Sequence, residues 1–374
     1  MILIGVIIIA SLLYVCLIYW ILSLWKIKPD HEPGEALFSP NVSVIIAARN
    51  EEDNISKCVQ SIISNDFEGR RFEIIVIDDH SEDKTKELIN GLKAENVKVI
   101  SLPEGHYGKK NALTLGIKEA QYPIILTTDA DCVTGRNWLS SHSHNYINEK
   151  ISLCTSFVLP FDDKSILSSF QFFDLASTMA TTKAGIDGKQ FYLANGANMS
   201  FRKDSFLSVE GYAGNVDISS GDDIFLINKI AKSHPDSVRF VHKPDSVVWT
   251  KSEKSWTYLI KQRIRWASKS SKTNNISLMI FQGFVFVFSC LLVIGLFLSL
   301  FLSAKAMALY LWLGLLIKGV TDFIFLRDLS AYFKRPIIVT DFIICFFIYF
   351  IHIIGSGLVA LFPLKYTWKG RKVR

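Results

Sequence analysis

Hydrophobic residues are concentrated at the two ends of the chain, while the stretch between them alternates short apolar runs with amphipathic segments. Residues 2–25 carry no charge and would span about 36 Å as a helix, enough for a hydrocarbon core of about 30 Å. This segment ends in Trp25 and Lys26, the aromatic and basic edge of a membrane anchor; the alternative is a cleaved signal peptide. We therefore predict a transmembrane anchor over residues 1–26.

The C-terminal third contains three more apolar segments, at 277–303, 307–326 and 339–363. They predict a transmembrane region over 277–364, followed by a basic tail over 365–374. Within the second segment, Lys318 and Asp322 are four residues apart on one helical face, where they can form an ion pair. Three complete spans would place the basic tail outside the cell, against the positive-inside rule, so one segment being re-entrant or interfacial stays open.

The middle of the chain, about 40–270, has the pattern of a parallel α/β domain. Apolar, β-branched runs predict strands at 42–48, 72–77, 97–102 and 124–128, and amphipathic segments predict helices at 51–63 and 109–120. Ser81 is placed to cap the helix after the second strand, with Glu82 and Asp83 in its first turn. Short strands joined by helical crossovers predict a parallel sheet with right-handed connections.

Acidic residues follow two of these strands directly: Asp78 and Asp79 after the second, and Asp129 and Asp131 after the fourth. In open parallel sheets, ligands bind outside the carboxyl ends of the strands, so these four side chains mark the predicted site. The first strand is not followed by GxGxxG, and the chain contains no GxxxxGK[ST] motif. A dinucleotide-dependent dehydrogenase and a P-loop nucleotidase are therefore disfavoured.

Composition narrows the function further. The 374 residues include 41 Lys and Arg against 35 Asp and Glu, a net charge of +6 that is too small to indicate a nucleic-acid-binding protein. Much of this positive charge flanks apolar segments, where basic residues face lipid headgroups. No pair of the six cysteines has CxxC spacing, so the sequence implies neither a zinc site nor a disulfide framework.

The Asp129-Ala-Asp131 pair can point two carboxylates the same way at a strand end. Mg²⁺ and Mn²⁺ prefer oxygen ligands, and Mg²⁺ commonly takes one or two carboxylates plus substrate phosphates. A metal–diphosphate complex is the natural ligand of such a pair; the alternative is a solvated acidic turn. Asp222 and Asp223 form another acidic pair, in which one carboxylate can act as a general base, although an acidic helix start is the better explanation of this pair taken alone.

The segment Gln262–Trp266 (QRIRW) lies in a basic, aromatic stretch with helical spacing, just before the apolar segment at 277. Such a helix can lie in the membrane interface. Arg265 could hold a departing diphosphate and Trp266 could stack on a sugar; the alternative is a plain juxtamembrane anchor.

Taken in order, these segments resemble the membrane-bound family 2 glycosyltransferases, which include the cellulose, hyaluronan and chitin synthases and ceramide glucosyltransferase. The matching segments are VSVIIAARNEEDNI (42–55), IIVIDDHSEDKT (74–85), LTTDADC (126–132), GANMSFRK (196–203), GDDIFL (221–226) and QRIRW (262–266). The WKGR sequence at 368–371 is similar to C-terminal motifs of smaller members. His80 occupies a position often held by Gly, and Asp222 replaces the common Glu.

The resemblance implies a GT-A fold, an α/β Rossmann-like domain that binds a nucleotide sugar, with transmembrane helices at both ends. It implies that nucleotide and donor contacts come from Ala48, Arg49, Asn50, Glu51, Asp78, Asp79 and Lys109. It further implies Asp129 and Asp131 as ligands of Mg²⁺ or Mn²⁺ and of the diphosphate, and Asp223 as catalytic base with Asp222 as its acidic neighbour. Gln262, Arg265 and Trp266 are implied at the acceptor and diphosphate end.

The function implied is an inverting, metal-dependent transfer of a sugar, with UDP-sugars favoured as donors, to a lipid or lipid-linked acceptor. The expected location is the cell (inner) membrane, with several spans and a cytosolic catalytic domain. The expected partners are the nucleotide-sugar donor, a lipid or glycan acceptor and the membrane, with no nucleic acid and with room for an oligomer.

Three other functions stay open at this stage. A processive synthase of an exported cell-surface polysaccharide shares the QxxRW motif and usually builds a wider channel from more helices. A catalytically silent nucleotide-sugar sensor would be expected to lose carboxylates, but Asp131 and Asp223 are both present. A transporter would spend most of its length on spans, often as internal repeats, and this chain shows no repeat.

Overall fold

The computed structural model describes residues 2–27, 39–67, 70–214, 221–234, 236–270, 275–301, 305–360, 366–368 and 371–373. The helices are, in chain order, α1 (Ile2–Lys26), α2 (Ile55–Ile63), α3 (Thr85–Asn90), α4 (Lys109–Glu119), α5 (Trp138–Ser143), α6 (Ile166–Asp187), α7 (Lys203–Ser208), α8 (Asp222–Ser233), α9 (Trp256–Ser270), α10 (Ile276–Phe301), α11 (Lys305–Tyr332) and α12 (Val339–Ala360). The strands are β1 (Val42–Ala48), β2 (Phe72–Asp78), β3 (Val97–Ser101), β4 (Ile124–Asp129), β5 (Cys132–Thr134), β6 (Leu153–Thr155), β7 (Val158–Pro160), β8 (Met199–Arg202), β9 (Val238–Phe240), β10 (Val248–Thr250), β11 (Tyr366–Trp368) and β12 (Arg371–Val373).

The chain divides into two compact units, each of which is described by itself. The helical unit comprises Met1–Ile27, Asp162–Ala184 and Glu253–Lys365. The sheet unit comprises Lys28–Phe161, Gly185–Ser252 and Tyr366–Arg374.

A seven-stranded sheet with the order β3-β2-β1-β4-β8-β6-β9 forms the centre of the sheet unit. The first four of these strands are parallel, and β8 runs antiparallel to both β4 and β6. The inner strands are short runs of Val and Ile whose side chains are almost completely buried, as expected for strands covered on both faces. A smaller sheet, β5-β10-β7, begins with the strand that directly follows the Asp129–Asp131 turn.

The predicted strands and helices of this unit agree closely with the structure, with two corrections. The helix predicted over 51–63 begins only at Ile55, because residues 51–54 form a turn. The N–H groups of Glu51 and Glu52 donate to side chains of the segment after β2. Ser81 does not cap a helix, since α3 begins at Thr85; its hydroxyl instead accepts a hydrogen bond from the N–H of Asn50. The predicted first turn at Glu82 and Asp83 is therefore also wrong.

Among the residues that the structure describes, four helices of the helical unit are long and apolar enough to cross a membrane: Ile2–Lys26, Ile276–Ser299, Lys305–Tyr332 and Val339–Val359. They coincide with the four predicted apolar segments, and residues 302–303 and 361–363 of those predictions lie outside the described residues. The predicted pair is also present, because Nζ of Lys318 lies 2.5 Å from Oδ2 of Asp322.

Candidate functional site

The strand register places the predicted acidic residues on both sides of β1. Asp78, the last residue of β2, pairs with Ala48, and Asp129, the last residue of β4, pairs with Ala47. The N–H of Asp79 donates to the carbonyl of Ala48 across 2.8 Å. The two acidic segments therefore flank the end of β1, at the carboxyl edge of the parallel sheet where ligands bind in such folds.

The Asp78 and Asp79 side chains are buried, and both accept hydrogen bonds. The N–H of Ser81 points to both oxygens of Asp78 at 3.4 Å, and the N–H of Gly108 donates to Oδ2 of Asp79 across 3.0 Å. Nδ1 of His80 lies 3.2 Å from the other oxygen of Asp79. These contacts hold the two carboxylates in place before any ligand binds.

The segment after β1 is tied to the segment after β2. Asn50 has a φ of 51°, a left-handed conformation, and its Oδ1 accepts the N–H of Glu82 across 2.9 Å. The N–H of Glu51 donates to Oγ1 of Thr85 across 2.8 Å, and the guanidinium of Arg49 lies 3.7 Å from the Glu82 carboxylate. The predicted nucleotide-contacting residues 48–51 therefore lie on a loop that hydrogen bonds connect to the segment after β2.

The Asp129–Asp131 turn carries two carboxylates, and the ammonium group of a lysine contacts it. Nζ of Lys109, the first residue of α4, lies 2.5 Å from Oδ1 of Asp129. Burial, followed by the charges of Asp129 and Glu51, raises the pKa of Asp131 to about 6. Three carboxylates thus share one neighbourhood, an arrangement that a bound cation would stabilise.

The donor set fits a hard divalent cation that is shared with a substrate. Within the described ranges, no group of three or more His, Cys, Asp or Glu side chains could hold a metal ion by itself. Two carboxylates, on Asp129 and Asp131, leave coordination positions for water and for phosphate oxygens, as is usual for Mg²⁺.

Asp223 lies beside β4, on the opposite flank from β1. Its Oδ2 accepts the N–H of Gly196 across 3.1 Å, and the carbonyl of Gly196 accepts the hydroxyl of Thr127 on β4 across 2.9 Å. Asp223 is half-buried in the first turn of α8. Asp222 is the first residue of the same helix, and its side chain lies outside the described residues.

A buried polar network behind this site was not predicted. Oδ1 of Asn198 accepts Nε1–H of Trp138 and Nε2–H of His142, each across 2.9 Å. Its amide nitrogen donates to the carbonyls of Phe157 and Ser246, across 2.6 and 2.7 Å. Asn198 therefore fixes the position of the loop that contains Gly196. In the sequence analysis, this asparagine appears only within the GANMSFRK segment.

The remaining predicted residues belong to the helical unit. Gln262, Arg265 and Trp266 lie on α9, which confirms the helix predicted from their spacing. Nε2 of Gln262 donates to Oε1 of Glu253 across 2.8 Å, and the Trp266 ring centroid lies 4.2 Å from Cζ of Arg263. The structure thus gathers Ala48, Arg49, Asn50, Glu51, Asp78, Asp79, Lys109, Asp129, Asp131 and Asp223 in the sheet unit, and the QxxRW residues in the helical unit.

Comparisons with known proteins agree with this architecture. Residues 43–207 match the family described as Glycosyl transferase family 2. The chain is similar to poly-beta-1,6-N-acetyl-D-glucosamine synthase of Staphylococcus aureus, with 27% identity over 245 residues, 64% of this chain and 56% of that protein. The Staphylococcus epidermidis protein of the same name is 28% identical over 244 residues, with the same coverage. The chain spans little more than half the length of these relatives.

A solved structure shares the fold over nearly the whole chain. The mannosyltransferase PcManGT from Pyrobaculum calidifontis, solved with GDP-Man and Mn²⁺, superposes with a TM-score of 0.61 at 17% identity. The match covers 96% of this chain and 98% of that one. The predicted GT-A fold with additional apolar helices is therefore confirmed.

Proposed function

We propose that this chain, whose residues 43–207 match the family described as Glycosyl transferase family 2, transfers a sugar from a nucleotide sugar to a lipid or lipid-linked acceptor at the cytosolic face of a membrane. The observation that carries the proposal is the gathering of Asp79, Lys109, Asp129, Asp131 and Asp223 around the carboxyl ends of β1, β2 and β4. Carboxylates held in place, with a lysine beside Asp129, suit a ligand with both hydroxyl groups and phosphates.

The nucleoside lies against the ends of β1 and β2 in this proposal. The Asp78 and Asp79 carboxylates accept hydrogen bonds from a base N–H or from ribose hydroxyls, and the loop containing Arg49 and Asn50 contacts the nucleotide. UDP is the preferred nucleotide, although PcManGT was solved with GDP-Man, so both classes of donor belong in the test. Lys109 lies where its ammonium can meet a diphosphate as well as Asp129.

Asp129 and Asp131 would hold a Mg²⁺ or Mn²⁺ ion together with the donor diphosphate. When bound, this ion supplies positive charge beside the departing nucleoside diphosphate. The Mn²⁺ in the PcManGT structure supports the assignment. So does the raised pKa of Asp131, which burial causes first and the nearby charges of Asp129 and Glu51 second. Lys109 adds a second, permanent positive charge at the same edge of the sheet.

Asp223 is the proposed catalytic base. Its carboxylate takes the proton from the acceptor hydroxyl while that oxygen bonds to the anomeric carbon and the bond to the diphosphate breaks. A single in-line displacement of this kind inverts the configuration at the anomeric carbon. The Gly196 N–H and the start of α8 hold the carboxylate in position, and Asp222 is proposed as its acidic neighbour in the sequence.

Gln262, Arg265 and Trp266 are proposed to serve the acceptor and the departing diphosphate. Their helix belongs to the unit that contains all four apolar helices long enough to cross a membrane. A motif in that unit suits an acceptor with a lipid portion. We propose that the protein lies in the cell membrane with its sheet unit in the cytosol, where nucleotide sugars are made.

A second candidate is a processive synthase of an exported polysaccharide. It is favoured by one observation, the similarity to staphylococcal proteins named as synthases of a polymer. Product length separates the two candidates, since a single addition gives one discrete glycolipid and processive synthesis gives a ladder or a high-mass product.

The test is release of UDP or GDP by the full-length chain in detergent, with UDP-glucose, UDP-N-acetylglucosamine and GDP-mannose as donors. Vesicles of total bacterial lipid serve as acceptor, with Mg²⁺, Mn²⁺ or EDTA. Asp131→Ala and Asp223→Asn are compared with Asp245→Asn, a carboxylate elsewhere in the sheet unit that accepts only the Asn137 amide among the described contacts.

We expect metal-dependent release from one donor, lost in Asp131→Ala and Asp223→Asn and retained in Asp245→Asn. If Asp223→Asn releases product at the wild-type rate, Asp223 is not the base. Binding of a nucleotide sugar without turnover under every condition would favour the sensor.

A further inference from the structure

The QxxRW motif on α9 is adjacent to Arg263, which forms an ion pair with a carboxylate on α6. We propose that Asp174 is a positioning residue that acts through Arg263 to orient Gln262 and Trp266. The inference rests on the proposed function for the role of those two side chains, and on the geometry of the helical unit for everything else.

Arg263 occupies a position that the QxxRW pattern leaves unspecified, yet it contacts two residues of the motif. Its NH1 donates to Oε1 of Gln262 across 2.7 Å. Its guanidinium carbon lies 4.2 Å from the centroid of the Trp266 ring, within the range of a cation–π contact. Arg263 therefore connects the first and last residues of the motif on one face of the helix.

The Gln262 amide is held from both sides. Its oxygen accepts the Arg263 bond, while its nitrogen donates to Oε1 of Glu253 across 2.8 Å. Glu253 is itself held, because its backbone N–H donates to Oε1 of Gln171 on α6 across 2.8 Å. The orientation of the Gln262 amide thus depends on where the Arg263 guanidinium lies.

Asp174 determines that position. Its Oδ2 lies 2.6 Å from NH2 of Arg263, and both side chains are largely excluded from solvent, with exposures of 13% and 7%. A buried guanidinium requires a partner, since an unpaired charge in this environment is costly. Without the Asp174 charge, Arg263 would be expected to turn toward solvent and release both Gln262 and Trp266.

Asp174 also faces a helix that is long and apolar enough to span a membrane. Nε2 of His352 on α12 lies 3.8 Å from Oδ1 of Asp174, and the His352 ring packs edge-on against Phe170, one turn earlier on α6. The carboxylate therefore has one oxygen toward the motif helix and the other toward α12. This placement suits a residue that sets the motif relative to the membrane helices.

The functional test compares Asp174→Asn with Asp341→Asn. Asp341 is a matched control because it is 9% exposed and accepts a hydrogen bond from Ser169 on the same α6 helix, across 2.7 Å. With the three donors named above, we expect Asp174→Asn to lower the rate at saturating donor by about tenfold. The donor KM should change by less than about twofold, since the donor is proposed to bind in the sheet unit. An equal loss of rate in the two variants would indicate that Asp174 only helps to pack α6, and it would overturn the proposal.

A second measurement does not depend on turnover. The chain is labelled with 5-fluorotryptophan, and the Trp266 resonance is assigned by its loss in Trp266→Phe. We expect Asp174→Asn and Arg263→Lys to shift or broaden that resonance, because lysine keeps the charge but lacks the planar fork that reaches Gln262. Asp341→Asn should leave it unchanged.

The two experiments separate the possible failures. A wild-type chain that releases no nucleoside diphosphate refutes the proposed function, while the fluorine spectrum still decides whether Asp174 positions Trp266. A Trp266 resonance that is identical in wild type, Asp174→Asn and Arg263→Lys overturns the inference whatever the activity.

Discussion

The backbone N–H of Gly108 donates to Oδ2 of Asp79 from a conformation that favours glycine, with a φ of 91°. This bond connects the residue before α4 to the end of β2. Because Lys109 follows directly and meets Asp129, one turn of chain carries contacts to both acidic segments of the site. The geometry of that turn therefore bears on the proposed nucleotide site as a whole.

We expect Gly108→Ala to weaken UDP or GDP binding about tenfold, as measured by titration calorimetry in detergent. A Cβ at this position meets open space, so its effect is conformational: the strained backbone costs about 1–3 kcal/mol and relaxes by turning the N–H away from Asp79. Gly105→Ala is the control, because Gly105 also has a positive φ, of 83°, and open space for a Cβ. Equal binding by the two variants would contradict the role of the hydrogen bond.

Asn198→Ala should destabilise the sheet unit by about 3 kcal/mol or more, because four buried partners lose their hydrogen bonds at once. These partners are the indole N–H of Trp138, the imidazole of His142 and the carbonyls of Phe157 and Ser246. The measurement is the urea midpoint of the purified protein in detergent.

The control for this variant is Asn137→Ala. The Asn137 amide is exposed and donates to Asp245 across 2.9 Å, so its loss should change stability by less than about 0.5 kcal/mol. If the two variants unfold at the same urea concentration, the buried network does not stabilise the fold.

The sequence was sufficient for the parallel half of the sheet, because its order follows from local signals. The strands ending at Ala48, Asp78 and Asp129 are apolar runs, and the last two end in an aspartate. A parallel sheet necessarily brings the carboxyl ends of these strands to one edge. The Lys318–Asp322 pair was equally predictable, since four residues on a helix place two side chains on one face.

Contacts between distant segments could not be predicted in this way. Asn198 and His142 are 56 residues apart and meet only because β8 runs antiparallel beside β4. Asp174 and Arg263 are 89 positions apart in the sequence and lie on helices with no shared local pattern. The prediction that Ser81 caps a helix was wrong. A serine before acidic residues is typical of a helix start, whereas here its hydroxyl accepts a hydrogen bond from the loop after β1.

The pH dependence of stability should include a clear contribution from His142. Burial lowers the pKa of His142 from 6.5 to about 4. In the fold its Nδ1 faces the Ser200 hydroxyl at 2.8 Å, and Ser200 also accepts the Tyr146 hydroxyl, so Nδ1 acts as an acceptor and the ring is neutral. Below about pH 6.5 the unfolded chain binds a proton that the folded chain does not, so stability falls as the pH falls toward 4.

The loss from this one residue is about 3 kcal/mol between pH 7 and pH 4. It is measured by urea unfolding at a series of pH values, with His142→Gln as the non-titrating comparison. The variant should be less stable at pH 7 and should lose less on acidification. The pKa of His144, which burial and then Arg70 and Lys243 also lower, contributes in the same direction to both proteins and cancels. Parallel curves for the two proteins would contradict the assignment.

Whereas His142 is buried as a neutral ring, Lys318 and Asp322 form an ion pair within an apolar helix. Lys318 is fully buried, with its Nζ 3.0 Å from the Tyr14 hydroxyl on α1, and that hydroxyl donates to Oδ1 of Asp322 across 2.5 Å. The rings of Phe346, Tyr349 and Phe350 on α12 lie within 5.6 Å of the same ammonium. This pair on α11 therefore contacts α1 and α12, two of the other helices in the described part of the chain that are long enough to cross a membrane.

Removing one charge of this pair should be more damaging than removing both. Lys318→Met removes the ammonium from beside Asp322, whose side chain is 14% exposed, at a cost of about 3–5 kcal/mol, whereas the double variant with Asp322→Asn leaves no charge to compensate. We expect the yield of monodisperse, detergent-extracted protein to fall severalfold in Lys318→Met and to recover in the double variant. Lys305→Met, at the exposed start of α11, controls for the general effect of a lost lysine. If Lys318→Met alone gives the wild-type yield, the charge on Asp322 has another partner or is neutralised, and the pair does not hold these helices together.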